Sequence, residues 1–190
     1  MTSAERTKWN ETHRGKPAGD PEPFVVEMLP LLPHGGLALD VAAGRGRNAQ
    51  ALARAGMRVV AADFSEVALR TLAEFARSER LPIWPVVADF DTFAFRDQSF
   101  DAIVNVNFLD RARFPDFARA LKPGGILVAE TFLIDQAEIG HPNDPRFLLR
   151  HYELRELIAG LELLRYREGL VVYPDGWRAW RAGAVARRKS

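Results

Sequence analysis

The sequence predicts a doubly wound α/β domain: a mostly parallel, seven-stranded sheet with helices on both faces and an antiparallel last strand. Three observations carry that expectation. Short apolar runs alternate with helical patterns from Leu37 to Thr131, the spacing of a parallel sheet with helical crossovers. A glycine turn, Gly44-Arg45-Gly46, follows the first of those runs. Beyond the alternating region, two further strand-like stretches are joined by Pro174-Asp175-Gly176, a turn signal.

Each element has a local reason. Residues 1–20 are polar, with scattered glycine and one tryptophan, and read as a mobile arm or lid; residues 21–190 read as one domain. Pro21 and Pro23 open a short helix at Phe24–Leu29, which Pro30 and Pro33 limit. After Gly35-Gly36, the run Leu37–Val41 is a buried strand. Asn48–Ala55 is a helix stopped by Gly56, and Arg58–Ala62 a second strand. Ser65 is a good N-cap with Glu66 in the first turn, and Ala68, Leu72, Phe75 and Ala76 then share one helical face. Ile83–Ala88 and Phe100–Val106 are strands three and four. A helix at Pro115–Ala120 leads into Lys122-Pro123-Gly124-Gly125, read as a turn, and a fifth strand, Ile126–Thr131. A proline-rich loop, 139–146, precedes a helix at Tyr152–Ala159 with Leu154, Leu157 and Ile158 on one side. Glu162–Arg167 and Trp177–Ala186 complete the sheet, and no internal repeat is visible.

Composition narrows the function classes. The 26 Lys and Arg nearly balance the 25 Asp and Glu, a net charge of +1, which lacks the basic field of a nucleic-acid binder. There is no cysteine, so disulfides, cysteine–zinc sites and cysteine nucleophiles are excluded, and a cytoplasmic location is the natural expectation. No apolar run nears the roughly 18 residues of a membrane span, and the first residues are too polar for a secretory signal. His13, His34 and His151 show no metal-ligand spacing.

In a doubly wound sheet, ligands bind outside the carboxyl ends of the strands where the strand order reverses. Gly44-Arg45-Gly46-Arg47-Asn48-Ala49 lies at such an end and fits G-x-G-x-x-A, a pattern shared by dinucleotide and S-adenosylmethionine sites. In both, the backbone approaches the ligand closely and the next helix offers N–H groups to an anion, a pyrophosphate or an amino-acid carboxylate. Asp40 separates the two. A carboxylate there repels a pyrophosphate but suits an ammonium group, and its spacing to Gly44 leaves a longer turn than the dinucleotide fingerprint. Asp40 can alternatively cap a helix or turn. Asp63, about 20 residues further on, can accept two ribose hydroxyls in either reading, or cap the helix at Ser65. Asp89 can accept the adenine amine and Phe90 can wall it, or the pair can be a turn residue and a core aromatic.

These residues resemble the class I methyltransferase superfamily, in the expected order along most of the chain. Leu39–Gly46 looks like its first motif, Asp63 its second, Ala88-Asp89-Phe90 its third and Ser99–Val104 its fourth strand. Leu121-Lys122-Pro123-Gly124-Gly125-Ile126-Leu127 is similar to its fifth-strand signature, which a nicotinamide fold lacks. A narrower similarity to the tellurite-resistance methyltransferase-like group rests on Trp9-Asn10, Gly44–Ala49, and Phe147-Leu148-Leu149 ahead of Glu153-Leu154; that group often has cysteine where this chain has Ala43. The resemblance implies S-adenosylmethionine held by Asp40, Ala42, Gly44, Gly46, Asn48, Asp63, Phe64, Asp89, Phe90 and Asn105.

It also implies methyl transfer to a small-molecule acceptor. The donor is already activated, so the protein mainly positions and desolvates, and a general base is optional. Asn105, Asn107 and Phe108, just past strand four, would face the transferred methyl, with Glu130 and Thr131 at the same mouth. The Asn/Asp-Pro-Pro-aromatic motif of adenine methylation is absent. His141, in the loop Ile139–Pro145, is a candidate base at a lid or a surface histidine. Trp9 and Arg14 suggest that the arm folds over the cofactor. The alternatives are a non-catalytic S-adenosylmethionine-binding or scaffold protein and a nicotinamide oxidoreductase. The acceptor itself and the oligomeric state are not written in the sequence.

Overall fold

The computed structural model describes residues 3–15 and 18–189; residues 1, 2, 16 and 17 of the arm lie outside the described residues. Seven strands form one sheet in the order β3-β2-β1-β4-β5-β7-β6. They are β1 (Leu37–Val41), β2 (Arg58–Asp63), β3 (Ile83–Val87), β4 (Phe100–Val106), β5 (Leu121–Phe132), β6 (Glu162–Val172) and β7 (Arg178–Arg187). The helices are α1 (Ser3–His13), α2 (Pro23–Met28), α3 (Arg47–Arg54), α4 (Glu66–Ser78), α5 (Phe114–Ala120), α6 (Gln136–Ile139) and α7 (Glu153–Leu157). Pairing is parallel from β3 through β5, and β7 runs antiparallel to both β5 and β6. The expected doubly wound sheet with its antiparallel last strand is therefore present.

The two-residue period of the strands sorts their side chains into two cores. On one face Ala38, Val59, Val104, Val128 and Val185 pack with Phe24, Leu52 and Leu72 from α2, α3 and α4. On the other, Leu39, Ile103, Leu127 and Ala184 pack with Phe117 and Leu154 from α5 and α7. Parity then fixes the polar residues at the carboxyl end. Asp40 and Glu130 fall in step with the first core, Asn105 and Thr131 with the second.

Several boundaries differ from expectation for physical reasons. Lys122-Pro123-Gly124-Gly125 is not a turn before a strand but a bulge inside one: Phe100 pairs with Leu121 and Ala102 already with Ile126. Lys122 Nζ donates to Asp101 Oδ2 at 2.8 Å, and the same oxygen accepts from Leu37 N at 2.7 Å, so the bulge anchors the start of β1. β6 runs on to Val172 because its ladder with β7 continues past Gly169. The last helix, α7, is shorter than expected and begins after Tyr152, which is in the left-handed region. The arm holds a helix, α1, which lies against α4 rather than trailing into solvent.

Candidate active site

The carboxyl ends of β1, β2, β4 and β5 share one rim of the sheet. After Val41 the chain turns tightly: Gly46 N donates to Ala43 O at 2.8 Å, and Ala43 N to Ala62 O at 3.0 Å. Ala42, Gly44 and Gly46 all have positive φ, 52°, 54° and 76°. The two glycines serve different needs. A Cβ on Gly46 would lie 2.4 Å from Leu72, so Gly46 lets α4 close against the turn. A Cβ on Gly44 would meet the His13 ring, 3.3 Å away, so Gly44 lets the arm approach the turn.

Two buried carboxylates brace the turn. Asp40 Oδ2 accepts from Ala49 N at 2.9 Å, capping the first turn of α3. Burial pushes this carboxyl up to about 7, and the nearby charge of Asp63 adds to the effect. Asp63 accepts from Gly44 N with one oxygen and from Ser65 N with the other, both at 2.8 Å. Burial raises it as well, opposed by those backbone donors and by His13. Asn105, paired in register with Val41 and Ala129, is 2% exposed, and its Oδ1 has no hydrogen-bond partner among the described residues.

The other expected cofactor residues fall around this turn with different degrees of commitment. Asn48 Oδ1 accepts from Glu22 N at 2.9 Å. Phe64 is buried directly after Asp63. Asp89 accepts from Asp91 N, a bond that lowers its pKa, and its carbonyl accepts from Thr92 and Phe93. Phe90 is buried in an aromatic cluster with Phe93, Phe95 and Phe108, the last at 5.1 Å between centroids. Phe108 thus continues the wall from the end of β3 to the end of β4.

The arm covers the turn. Ser65 Oγ donates to Asn10 Oδ1 at 2.7 Å, Arg45 Nη1 to His13 O at 3.4 Å, and Trp9 stacks on His13 at 5.8 Å. Sequence reasoning missed Asn10 and His13 as contacts, because α1 has no apolar face to announce where it packs.

On the far side of Asn105 lies a second polar group, in which Asn107 and Glu130 were expected at the rim but Arg181, Arg167, Glu22 and Tyr173 were missed. Arg181, 1% exposed, donates to Asn107 Oδ1 at 2.6 Å and to Glu130 Oε2 at 2.9 Å. Arg167 donates to Glu130 Oε1 at 2.7 Å. Glu22 accepts from Tyr173 and Arg47 at 2.7 and 2.8 Å and lies 3.5 Å from Arg181. Burial raises the Tyr173 phenol, and its bond to Glu22 adds to this. The signal was there: Glu130 and Arg181 are charges inside strands of small apolar residues, and buried charges must find partners. His141 lies apart, exposed in the loop after α6 with its carbonyl accepting from Gln136; no hydrogen bond joins it to Asn107 or Phe108.

Fold and rim together place a glycine turn flanked by two buried carboxylates at the carboxyl end of a doubly wound sheet. Residues 38–125 match the family model of a methyltransferase domain. A demethylmenaquinone methyltransferase of Renibacterium salmoninarum is 33% identical over 166 residues, 83% of this chain and 65% of that protein. Another, from Corynebacterium glutamicum, is 31% identical over 172 residues, 86% of this chain and 68% of that protein. Among solved structures, TehB from Haemophilus influenzae superposes with a TM-score of 0.76 at 23% identity, over 88% of this chain and 62% of that one. The chain belongs to the class I S-adenosylmethionine-dependent methyltransferases. It spans about two thirds of the length of these two named relatives, 65% and 68%. Among the described residues no helix is long and apolar enough to cross a membrane.

Proposed function

We propose that the protein binds S-adenosylmethionine at the glycine turn and transfers its methyl group to a small-molecule acceptor beside Asn107. The observation that supports this best is the pairing of Asp40 and Asp63, two buried carboxylates raised by burial, around one turn. A dinucleotide would bring a pyrophosphate against them; a ligand carrying an ammonium and a sulfonium brings the opposite charge. The residues fit that ligand. Gly44 carries no side chain at the face of the turn beneath the arm, Asp63 has lone pairs left for hydroxyls, and the Asn105 oxygen, unpaired among the described residues, needs a donor.

Bound there, the sulfonium supplies an electrophilic methyl, and the S–C electron pair stays on sulfur when the methyl leaves. The chain's own work is to orient and to exclude water. Phe64, Phe90 and Phe108 shield the middle of the cleft, and α1 closes over the turn through Asn10 and His13. Asn107, Phe132, Tyr173 and Trp177 frame the acceptor side, with Tyr173 and Trp177 rings 4.6 Å apart. Such aromatic edges suit a small planar acceptor. The demethylmenaquinone methyltransferases among the relatives make a demethylmenaquinone one compound worth including in a screen.

Calorimetry with S-adenosylmethionine, S-adenosylhomocysteine and NADPH tests the reading directly. Binding of the sulfur ligands is expected; binding of NADPH alone would overturn it. A labelled-methyl screen over thiols, oxyanions, phenols, amines and carboxylates then identifies the acceptor. The lid role of the arm has its own measurement. Removing residues 1–20 should weaken cofactor binding about tenfold, the loss of one or two net hydrogen bonds; an unchanged Kd would show that α1 does not cover the ligand.

A further inference from the structure

We propose that Arg181 is a positioning residue: it turns the Asn107 carboxamide so that N–H donors face the acceptor, which selects an acceptor atom that arrives deprotonated. The inference rests on the methyl-transfer reading for where the acceptor sits.

A guanidinium carries five N–H donors and no acceptor. The atom of Asn107 that lies 2.6 Å from Arg181 Nη1 is therefore its oxygen. The amide nitrogen occupies the other branch of the carboxamide, on a residue that is itself exposed at the end of β4. Every link in this arrangement is held twice. Arg181 is fully buried, its Nη2 on Glu130 Oε2 and its guanidinium 4.3 Å from the centroid of the Phe132 ring. Asn107 is in the left-handed region at φ 60°, and its backbone N donates to Glu130 O at 2.9 Å. Glu130 thus fixes Asn107 through the main chain directly and through the side chain by way of Arg181.

The same network leaves no proton acceptor at that spot. Both Glu130 oxygens receive guanidinium donors, from Arg167 and Arg181. Both Glu22 oxygens are also engaged, by Tyr173 and Arg47. Among the described residues, no carboxylate or imidazole hydrogen-bonds to Asn107. Donors aimed at a reacting oxygen or sulfur stabilise its charged form. The buried Nε of Arg181, which has no hydrogen-bond partner, keeps a further donor in the same wall. A hydroxyl that must lose a proton in the site finds nothing to take it; a phenolate, thiolate or similar anion needs nothing taken.

The probe is 4-nitrophenol, whose ionised form absorbs where the neutral form does not, with 4-nitroanisole as its neutral counterpart. Full-length protein saturated with S-adenosylhomocysteine is titrated near the midpoint of the free phenol. The bound probe is expected to be wholly ionised and to bind at least about tenfold more tightly than 4-nitroanisole. Asn107→Asp keeps an oxygen for Arg181 but presents a carboxylate, and should cut binding of the anion about tenfold or more while leaving the S-adenosylhomocysteine Kd within about twofold. Arg181→Gln should lose the ionisation signal, and Arg181→Lys, which retains a donor, should recover part of it. If the buried Arg181 variants do not fold, Asn107→Asp decides alone. A probe that stays neutral, fails to bind, or binds Asn107→Asp equally well overturns the inference while the cofactor reading stands. Failure of the wild-type protein to bind S-adenosylhomocysteine overturns both.

Discussion

The two halves of the rim bury charge in opposite ways. Around the glycine turn, Asp40 and Asp63 are buried beside each other, capped by backbone N–H groups, and both are raised by burial. Across Asn105, Glu22 and Glu130 are just as buried but ion-paired with Arg47, Arg167 and Arg181. One half rests its carboxylates on backbone N–H groups and leaves them for the proposed cationic ligand to neutralise; the other neutralises its own by ion pairing. A site of the first kind gains affinity from its own discomfort. A site of the second kind gains rigidity and offers fixed donors.

The largest way to break this comparison is Glu130→Gln. It leaves the buried Arg181 and the half-buried Arg167 without their shared charged partner and should cost about 3–5 kcal/mol of stability, measured by urea unfolding. A loss below about 1 kcal/mol would mean that the network is not holding the rim.

Asp40→Asn should act in the opposite direction. Burial holds the folded-state pKa of Asp40 at about 7, above the ordinary carboxylate value of 3.8, so the folded protein binds this proton more tightly than the unfolded chain. Its contribution is fully present below the unfolded value and is lost as pH rises toward and through about 7. Asparagine keeps an oxygen for Ala49 N and carries no charge. The ligand-free variant should therefore be more stable than wild type at pH 8, by on the order of 2–4 kcal/mol, and should bind S-adenosylmethionine less tightly. Wild-type affinity should rise with pH up to about 7, and the variant's should not. A variant that is less stable at pH 8 would place Asp40 with the self-neutralised half.

The smallest effect sharpens the contrast in backbone terms. Ala42 is held at φ 52°, a conformation that suits glycine better than alanine. Ala42→Gly should relieve that strain against a greater loss of chain entropy, a net gain of about 0.5 kcal/mol in thermal unfolding. Destabilisation of that size or more would show that the methyl group contributes packing.

The geometry around the glycine turn was legible because its parts are local. Asp40, the glycine turn and Asp63 sit at ends of β1 and β2, and those ends are marked by apolar runs that stop at polar residues. β1 and β4 fall where the apolar runs place them. Across Asn105, Asn107 and Glu130 were legible as residues at the end of the sheet but their partners were not, because the pairs join distant segments: Arg181 reaches back to Glu130 and Asn107, Tyr173 to Glu22. Glu22 and Arg181 carry no local pattern that says they meet. Lys122-Pro123-Gly124-Gly125 was misread for a related reason. Its residues favour a turn in isolation, and only the ladder to β4 shows that the strand continues through them.

Gly46 bears on how mutational surveys of this protein should be interpreted. It sits inside the turn proposed to face the ligand, yet the neighbour a side chain there would strike is Leu72 of α4. Substituting it would push α4 off the turn and carry Ser65, the arm and Asp63 with it. A survey scored only by turnover would rank Gly46 among the ligand contacts. One scored for thermal stability as well would sort it with the core, and would separate the residues that hold the ligand from those that hold the shape of the space around it.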